Sequence, residues 1–205
     1  MVYLQITTRC NMLCPHCGFT CTANGRGIEY SSFKHAIWLL NKIKIPEITL
    51  GGGEPTIHLK FFDILNYSLD NFAGKIGVIT NGKDSFSALK LLDSWKKYKS
   101  KLRIGLSTDY HDSICDYVYS KYKKYNLIHR ISRIANAGRA KKYIKKEEKV
   151  NNVCLCGPII TPNGNIRQCS CGNSPIAGNV SLDNRKKLLK LEEILKYKQC
   201  INGYE

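Results

Sequence analysis

The sequence predicts an α/β fold, an open and partial barrel of parallel β/α units, and three observations predict it. Short β-branched or aromatic runs alternate with stretches of helical periodicity, which is the pattern of parallel βαβ units. The residues able to carry chemistry fall just after those runs, at what would be strand carboxyl ends, where parallel folds gather their ligands. The units number about five to six, too few to close an eight-stranded barrel. A small Cys-rich β-hairpin plus helix is expected after them.

The elements follow in order. Residues 2–7, Val-Tyr-Leu-Gln-Ile-Thr, read as a buried strand that runs into a cysteine-rich loop. Ser31 and Ser32 are placed to cap a helix over 31–44, with Phe33, Ile37, Leu40 and Ile43 on one side and Pro46 as its stop. Residues 47–50 form the second strand, leading into Gly51-Gly52-Gly53-Glu54-Pro55. A helix over 60–72, with His58 at its start, precedes a strand over 75–80 closed by Asn81-Gly82. Then come a helix over 85–99 bearing Phe86, Leu89, Leu92 and Trp95, a strand over 102–107, a helix over 112–125 and a fifth strand over 127–134. Residues 141–152 read as a charged connector. The expected boundary lies near Lys149, with a barrel domain over 1–149 and an auxiliary domain over 150–205. In the latter, Asn163-Gly164 between short apolar runs signals a hairpin, followed by a helix over 183–198.

Composition narrows the classes. A chain of 205 residues can bury a real core. No apolar run is long enough to span a bilayer, and the N-terminus lacks a basic stretch followed by a hydrophobic one, so a cytoplasmic location without a membrane association is expected. Ten cysteines in a reducing compartment point to metal ligands rather than disulfides. They fall in two clumps, Cys10 to Cys21 and Cys154 to Cys171, with Cys115 and Cys200 apart. The net charge of +16 would suit an anionic partner such as nucleic acid. Lys and Tyr alternate without an arginine-rich core, however, and no nucleic-acid-binding motif is present. A solvated lysine-rich surface is the simpler account.

Cys10, Cys14 and Cys17 carry the chemistry. Three thiolates in one loop, separated by three and then two residues, can hold three corners of an iron–sulfur cube. A structural zinc or cluster site closes with four protein ligands, whereas three leave one metal position open. One strand–helix unit later, the glycine run at a strand end lets backbone approach a ligand closely. Together these motifs resemble the radical S-adenosylmethionine (SAM) enzymes. The resemblance implies a [4Fe-4S] cluster on Cys10, Cys14 and Cys17 whose open iron chelates the amino and carboxylate groups of SAM. It also implies reductive cleavage to a 5′-deoxyadenosyl radical that abstracts hydrogen from substrate. It places Gly52, Gly53 and Glu54 at the SAM amino group, Asn81 and Ser107 along the SAM site, and Arg139 of Gly138-Arg139-Ala140 within reach of a SAM or substrate carboxylate. His16 takes the place of an aromatic residue near the adenine. Cys21 reads as a buried thiol or an alternative ligand.

Four further cysteines, Cys154, Cys156, Cys169 and Cys171, sit at the ends of the predicted hairpin. By themselves they suit a zinc knuckle or a second cluster. Their spacing resembles the SPASM and twitch auxiliary iron–sulfur domains, which implies Cys154, Cys169, Cys171 and Cys200 as ligands, with Cys156 competing. The chain's end at Glu205 favours the shorter, twitch-like form. The resemblance implies a peptide substrate first, then a small polar metabolite or nucleotide, and third a partner enzyme receiving a glycyl radical. It also implies an electron donor such as flavodoxin or ferredoxin. The non-enzyme alternative, a basic zinc-binding nucleic-acid module, explains the charge and the later cysteines. It does not explain a cysteine triplet and Gly-Gly-Gly-Glu-Pro at successive strand ends.

Overall fold

The computed structural model describes residues 1–108, 114–129, 138–142, 157–169 and 174–180. Within them runs one mixed sheet of eight strands in the order β5-β4-β3-β2-β1-β6-β7-β8. β1 (Val2–Thr7), β2 (Glu47–Gly52), β3 (Lys75–Thr80), β4 (Leu102–Ser107) and β5 (Ile128–His129) pair in parallel. The connecting helices are α1 (Tyr30–Lys42), α2 (Phe61–Asn71), α3 (Ser85–Lys97) and α4 (Asp116–Lys124). This is the open α/β arrangement the sequence predicts.

The strands hold because alternate residues meet one continuous core. Val2, Leu4 and Ile6, then Ile48 and Leu50, Ile76 and Val78, and Leu102, Ile104 and Leu106 are buried with Phe33, Ile37 and Leu40 of α1, Phe61, Ile64 and Leu65 of α2, Leu91 and Leu92 of α3, and Val118 and Tyr122 of α4. Each such side chain contributes about 1.5–3 kcal/mol by leaving water.

Two helix ends differ from expectation. Glu29, not a serine, is the N-cap of α1, and it makes no side-chain cap bond; Ser31 and Ser32 lie within the first turn. The helix also stops before Pro46. Lys44 adopts φ 55°, its N–H reaches Asn41 O, and Ile45 N–H reaches Leu40 O, a Schellman closure. Asn126, with φ 57°, closes α4 in the same way through Asn126 N–H to Lys123 O and Leu127 N–H to Tyr122 O. At α3 the carboxylate of Asp84 accepts from the Ser87 N–H and hydroxyl and caps the helix.

The predicted hairpin is present as β6 (Ile159–Ile160) and β7 (Asn165–Arg167), turning at Gly164 with φ 76°, and β8 (Ile176–Asn179) follows antiparallel. It extends the main sheet, because β6 lies parallel to β1 through Tyr3↔Ile159 and Leu4↔Ile160. Ile160 and Ile166 join the common core. The expected strand residues 130–134, the connector beyond residue 142 with its boundary near Lys149, the helix over 183–198, and Cys154, Cys156, Cys171 and Cys200 lie outside the described residues. No helix among the described residues is long and apolar enough to cross a membrane.

Candidate active site

The carboxyl ends of β1 to β4 surround a cavity of about 250 Å³. β1 delivers the cysteine loop to it. Beyond Thr7 the chain folds back on itself: Cys10 N–H reaches Thr22 O, Thr22 N–H reaches Thr8 O, and Ile28 N–H returns to Ile6 O. Cys17 N–H bonds to Cys14 O, which turns the loop tightly between those cysteines. Cys10, Cys14, Cys17 and the buried Cys21 all line the cavity, and each is a free thiol.

The glycines act first on this loop. A Cβ on Gly52 would lie 2.3 Å from Thr7 O, and one on Gly53 would lie 2.2 Å from Arg9 O. Only glycine lets the end of β2 press so closely on the base of the loop. Gly53 N–H donates to Thr7 O and Glu54 N–H to Arg9 O, both at 2.9 Å. With these N–H groups engaged, the backbone here can offer a ligand its carbonyls, the acceptors an ammonium group needs.

Glu54 is a tie within the protein. Its Oε1 accepts from Thr56 N–H, Thr56 Oγ1 and Thr80 Oγ1, and its Oε2 accepts from Asn81 N–H at 2.7 Å. Burial pushes its carboxyl above the usual range, and these donors pull part of the way back. The carboxylate thus joins the ends of β2 and β3. Asn81 carries the connection onward: its Nδ2 donates to Asn11 Oδ1 at 2.9 Å, and Lys83 Nζ donates to Asn11 O at 3.1 Å. The cysteine loop is therefore held from the β3 side as well.

Ser107 at the end of β4 and His16 between two cysteines line the same cavity and are buried. Arg139 is not among the lining residues. Its guanidinium donates to Cys14 O at 2.8 Å and Cys21 O at 2.7 Å, on the carbonyl side of the loop. Sequence reasoning missed Tyr3, Asn11 and Thr80. Tyr3 lines the cavity, stacks on Phe19 at 5.4 Å and donates to Gly52 O, and burial raises its phenol. Its inward place on a strand beside the glycine run was the only available signal. Asn11 and Thr80 reveal themselves only through partners distant in sequence.

The donor set fits an iron–sulfur cube. A single zinc ion draws its thiolates to about 2.3 Å from one point. A cube instead takes one thiolate at each of several separate corners, and three thiols opening on one cavity with a glycine cradle meet that need. Ligation requires thiolates. A hydrogen bond from Cys21 pulls the Cys17 thiol down to about 5, while burial pushes Cys10 up to about 11 and raises Cys14. Binding metal at Cys10 and Cys14 would therefore release protons.

A family model of the radical SAM superfamily matches residues 4–163. An S-adenosylmethionine-dependent nucleotide dehydratase of Selenomonas ruminantium is 35% identical over 82 residues, 40% of this chain and 29% of that protein. The mycofactocin maturase MftC of Mycolicibacterium smegmatis is 28% identical over 79 residues, 38% of this chain and 20% of that protein. The matched stretch thus spans under a third of either curated relative. The crystal structure of BtrN in complex with AdoMet and 2-DOIA superposes with a TM-score of 0.71 at 15% identity, covering 97% of this chain and 87% of that one, a likeness of fold.

Proposed function

The chain belongs to the radical SAM superfamily, and on that premise we propose that it is an enzyme holding a [4Fe-4S] cluster on Cys10, Cys14 and Cys17 and SAM along Gly52, Gly53, Asn81 and Ser107. The observation that carries the reading is that all seven residues line one cavity at the strand ends. When bound, the cluster supplies the electron that splits SAM into methionine and a 5′-deoxyadenosyl radical, which takes hydrogen from substrate. The chain's own part is to bind, orient and exclude water. The glycine carbonyls offer acceptors for the SAM amino group, the Glu54 tie fixes the floor beneath them, and Tyr3 and His16 wall the cavity.

For the substrate we favour a small polar molecule of nucleotide class over the peptide that the sequence first suggested. A trough of about 410 Å³ runs over β2 to β5 and shares Thr49, Ile79 and His129 with the cavity. Gly77 and Gly105 line it, His129 offers a polar contact, and Arg103 is paired there with Glu47 at 3.3 Å. The nucleotide dehydratase relative supports this class, while the maturase relative supports a peptide. The auxiliary cluster remains part of the proposal through Cys154, Cys169, Cys171 and Cys200. Cys169 is buried, and its backbone bonds Ser174 Oγ in both directions. Flavodoxin or ferredoxin would supply the electron.

The test is iron, sulfide and zinc per chain after anaerobic reconstitution, followed by 5′-deoxyadenosine formation. About eight irons correspond to two cubes and about four to the SAM cluster alone. Zinc without iron defeats the enzyme reading. Cys14→Ala should abolish 5′-deoxyadenosine, and its persistence would sink the cluster assignment. Nucleoside phosphates should accelerate the reaction more than peptides do; the reverse restores the peptide reading.

A further inference from the structure

One short segment far along the chain closes on the cysteine loop. In the 3-10 turn Gly138–Lys142, Arg139 N–H and Ala140 N–H both donate to Cys17 O, at 3.0 and 3.2 Å. The Arg139 guanidinium forks onto Cys14 O and Cys21 O. Four donors from two adjacent residues thus meet the carbonyls of three of the four cysteines that line the cavity. Gly138 makes the approach feasible: it takes φ 55°, and a Cβ there would lie 2.4 Å from Gly18 O.

We infer that Arg139 is a positioning residue for the cluster loop rather than a ligand of SAM. The inference rests on the assignment of Cys14 and Cys17 as cluster ligands. Carbonyls drawn to one side of the loop leave the thiols of these cysteines on the cavity side. A planar guanidinium can meet two carbonyls at once, which a lysine ammonium cannot do with the same fixed geometry. Groups that orient metal ligands in this way govern how firmly the metal is retained. The arginine whose motif suggested a carboxylate partner is therefore assigned a backbone one.

The test compares wild type with Arg139→Gln, Arg139→Lys and Gly138→Ala, each purified without air, loaded with iron and sulfide, and challenged with an iron chelator. Iron should leave Arg139→Gln and Gly138→Ala about tenfold faster, and Arg139→Lys at an intermediate rate, while the SAM dissociation constant of the loaded fraction stays within about twofold. In the metal-free proteins, the amides of Cys10, Cys17 and Thr22 should exchange faster in the variants while those of β1 to β4 hold. This second readout needs neither cluster nor activity. A SAM affinity about tenfold weaker with unchanged iron retention makes Arg139 a SAM ligand and overturns the inference. Unchanged loop exchange in both Arg139→Gln and Gly138→Ala overturns it too. A wild-type chain that takes up no iron defeats the cluster reading itself and the inference with it. Normal loading of wild type is what separates the two failures.

Discussion

The two halves of the sheet are built in different ways. β1 to β4 are six residues each, pair in parallel, and share a core with four helices. β6 to β8 are two to four residues long, and β6 holds to β1 through two paired positions. Ile160 and Ile166 are the buried residues this edge gives to the common core, with Ala177 and Val180 packed half-buried against it. Polar contacts add to this: Asn179 Nδ2 donates to Asn163 O and Asn165 Oδ1, and Arg167 donates to Ser174 O. The difference teaches that the site depends on the half with the larger apolar core. Among the described residues the cavity draws its lining from the cysteine loop, from β1 to β5 and from the turns after them, and none from β6 to β8.

The largest way to break this contrast is to empty the parallel half. Phe61, 1% exposed, should cost about 4 kcal/mol as Phe61→Ala. Urea unfolding should show every probe shifting together; a loss confined to β6–β8 signals would reverse the ranking of the halves. Gly52→Ala strikes where the parallel half meets the loop. Its Cβ, 2.3 Å from Thr7 O, should cost about 3 kcal/mol and lower iron uptake while far-ultraviolet circular dichroism keeps the sheet signal. Full iron loading in this variant would mean that the glycine is not needed for the close approach.

Glu54→Gln replaces an acceptor that faces Asn81 N–H and two hydroxyls, and should cost about 2 kcal/mol. The raised carboxyl also has a sign. The folded protein keeps this proton to higher pH than the unfolded chain does. Its contribution is therefore fully present below the unfolded value of about 4.3 and is lost as pH rises from there to the higher folded value. Stability measured across that window should fall less steeply in Glu54→Gln than in wild type; an unchanged slope would assign the titration to another group.

The smallest effect belongs to the edge. Gly164→Ala, at φ 76°, should cost about 1 kcal/mol. Amide exchange should quicken in β7 while β1 to β4 stay protected. Equal quickening in both halves would mean that the edge and the barrel open as one unit.

Much of the parallel half was legible because its signals are local. Short β-branched or aromatic runs marked β1, β3 and β4 at their observed limits, residues 2–7, 75–80 and 102–107. β2, expected over residues 47–50, runs on through Gly51 and Gly52, which have no side chain to mark them as strand. The Schellman closures at Lys44 and Asn126 were hidden because neither residue is a glycine. Within the site, spacing marked the cysteines and the glycines. The work of Glu54 and Arg139 was not legible, since each acts through partners that folding alone brings near: Thr80 and Asn81 for the one, Cys14 and Cys21 for the other. The place of β6 beside β1 was invisible for the same reason.

That placement has a consequence for how the molecule is made. β1 is an interior strand whose two neighbours come from very different distances along the chain: β2 soon after it, and β6 more than a hundred positions later. As the polypeptide leaves the ribosome, β1 can pair with β2 and lay its cysteine loop over the glycines while its other edge still presents open N–H and C=O groups. Those groups stay bare until residues 159–160 emerge. Arg139 also arrives late, so the loop spends part of synthesis without its brace. The order of emergence therefore favours loading iron after translation, on a chain whose last pairing has closed the open edge.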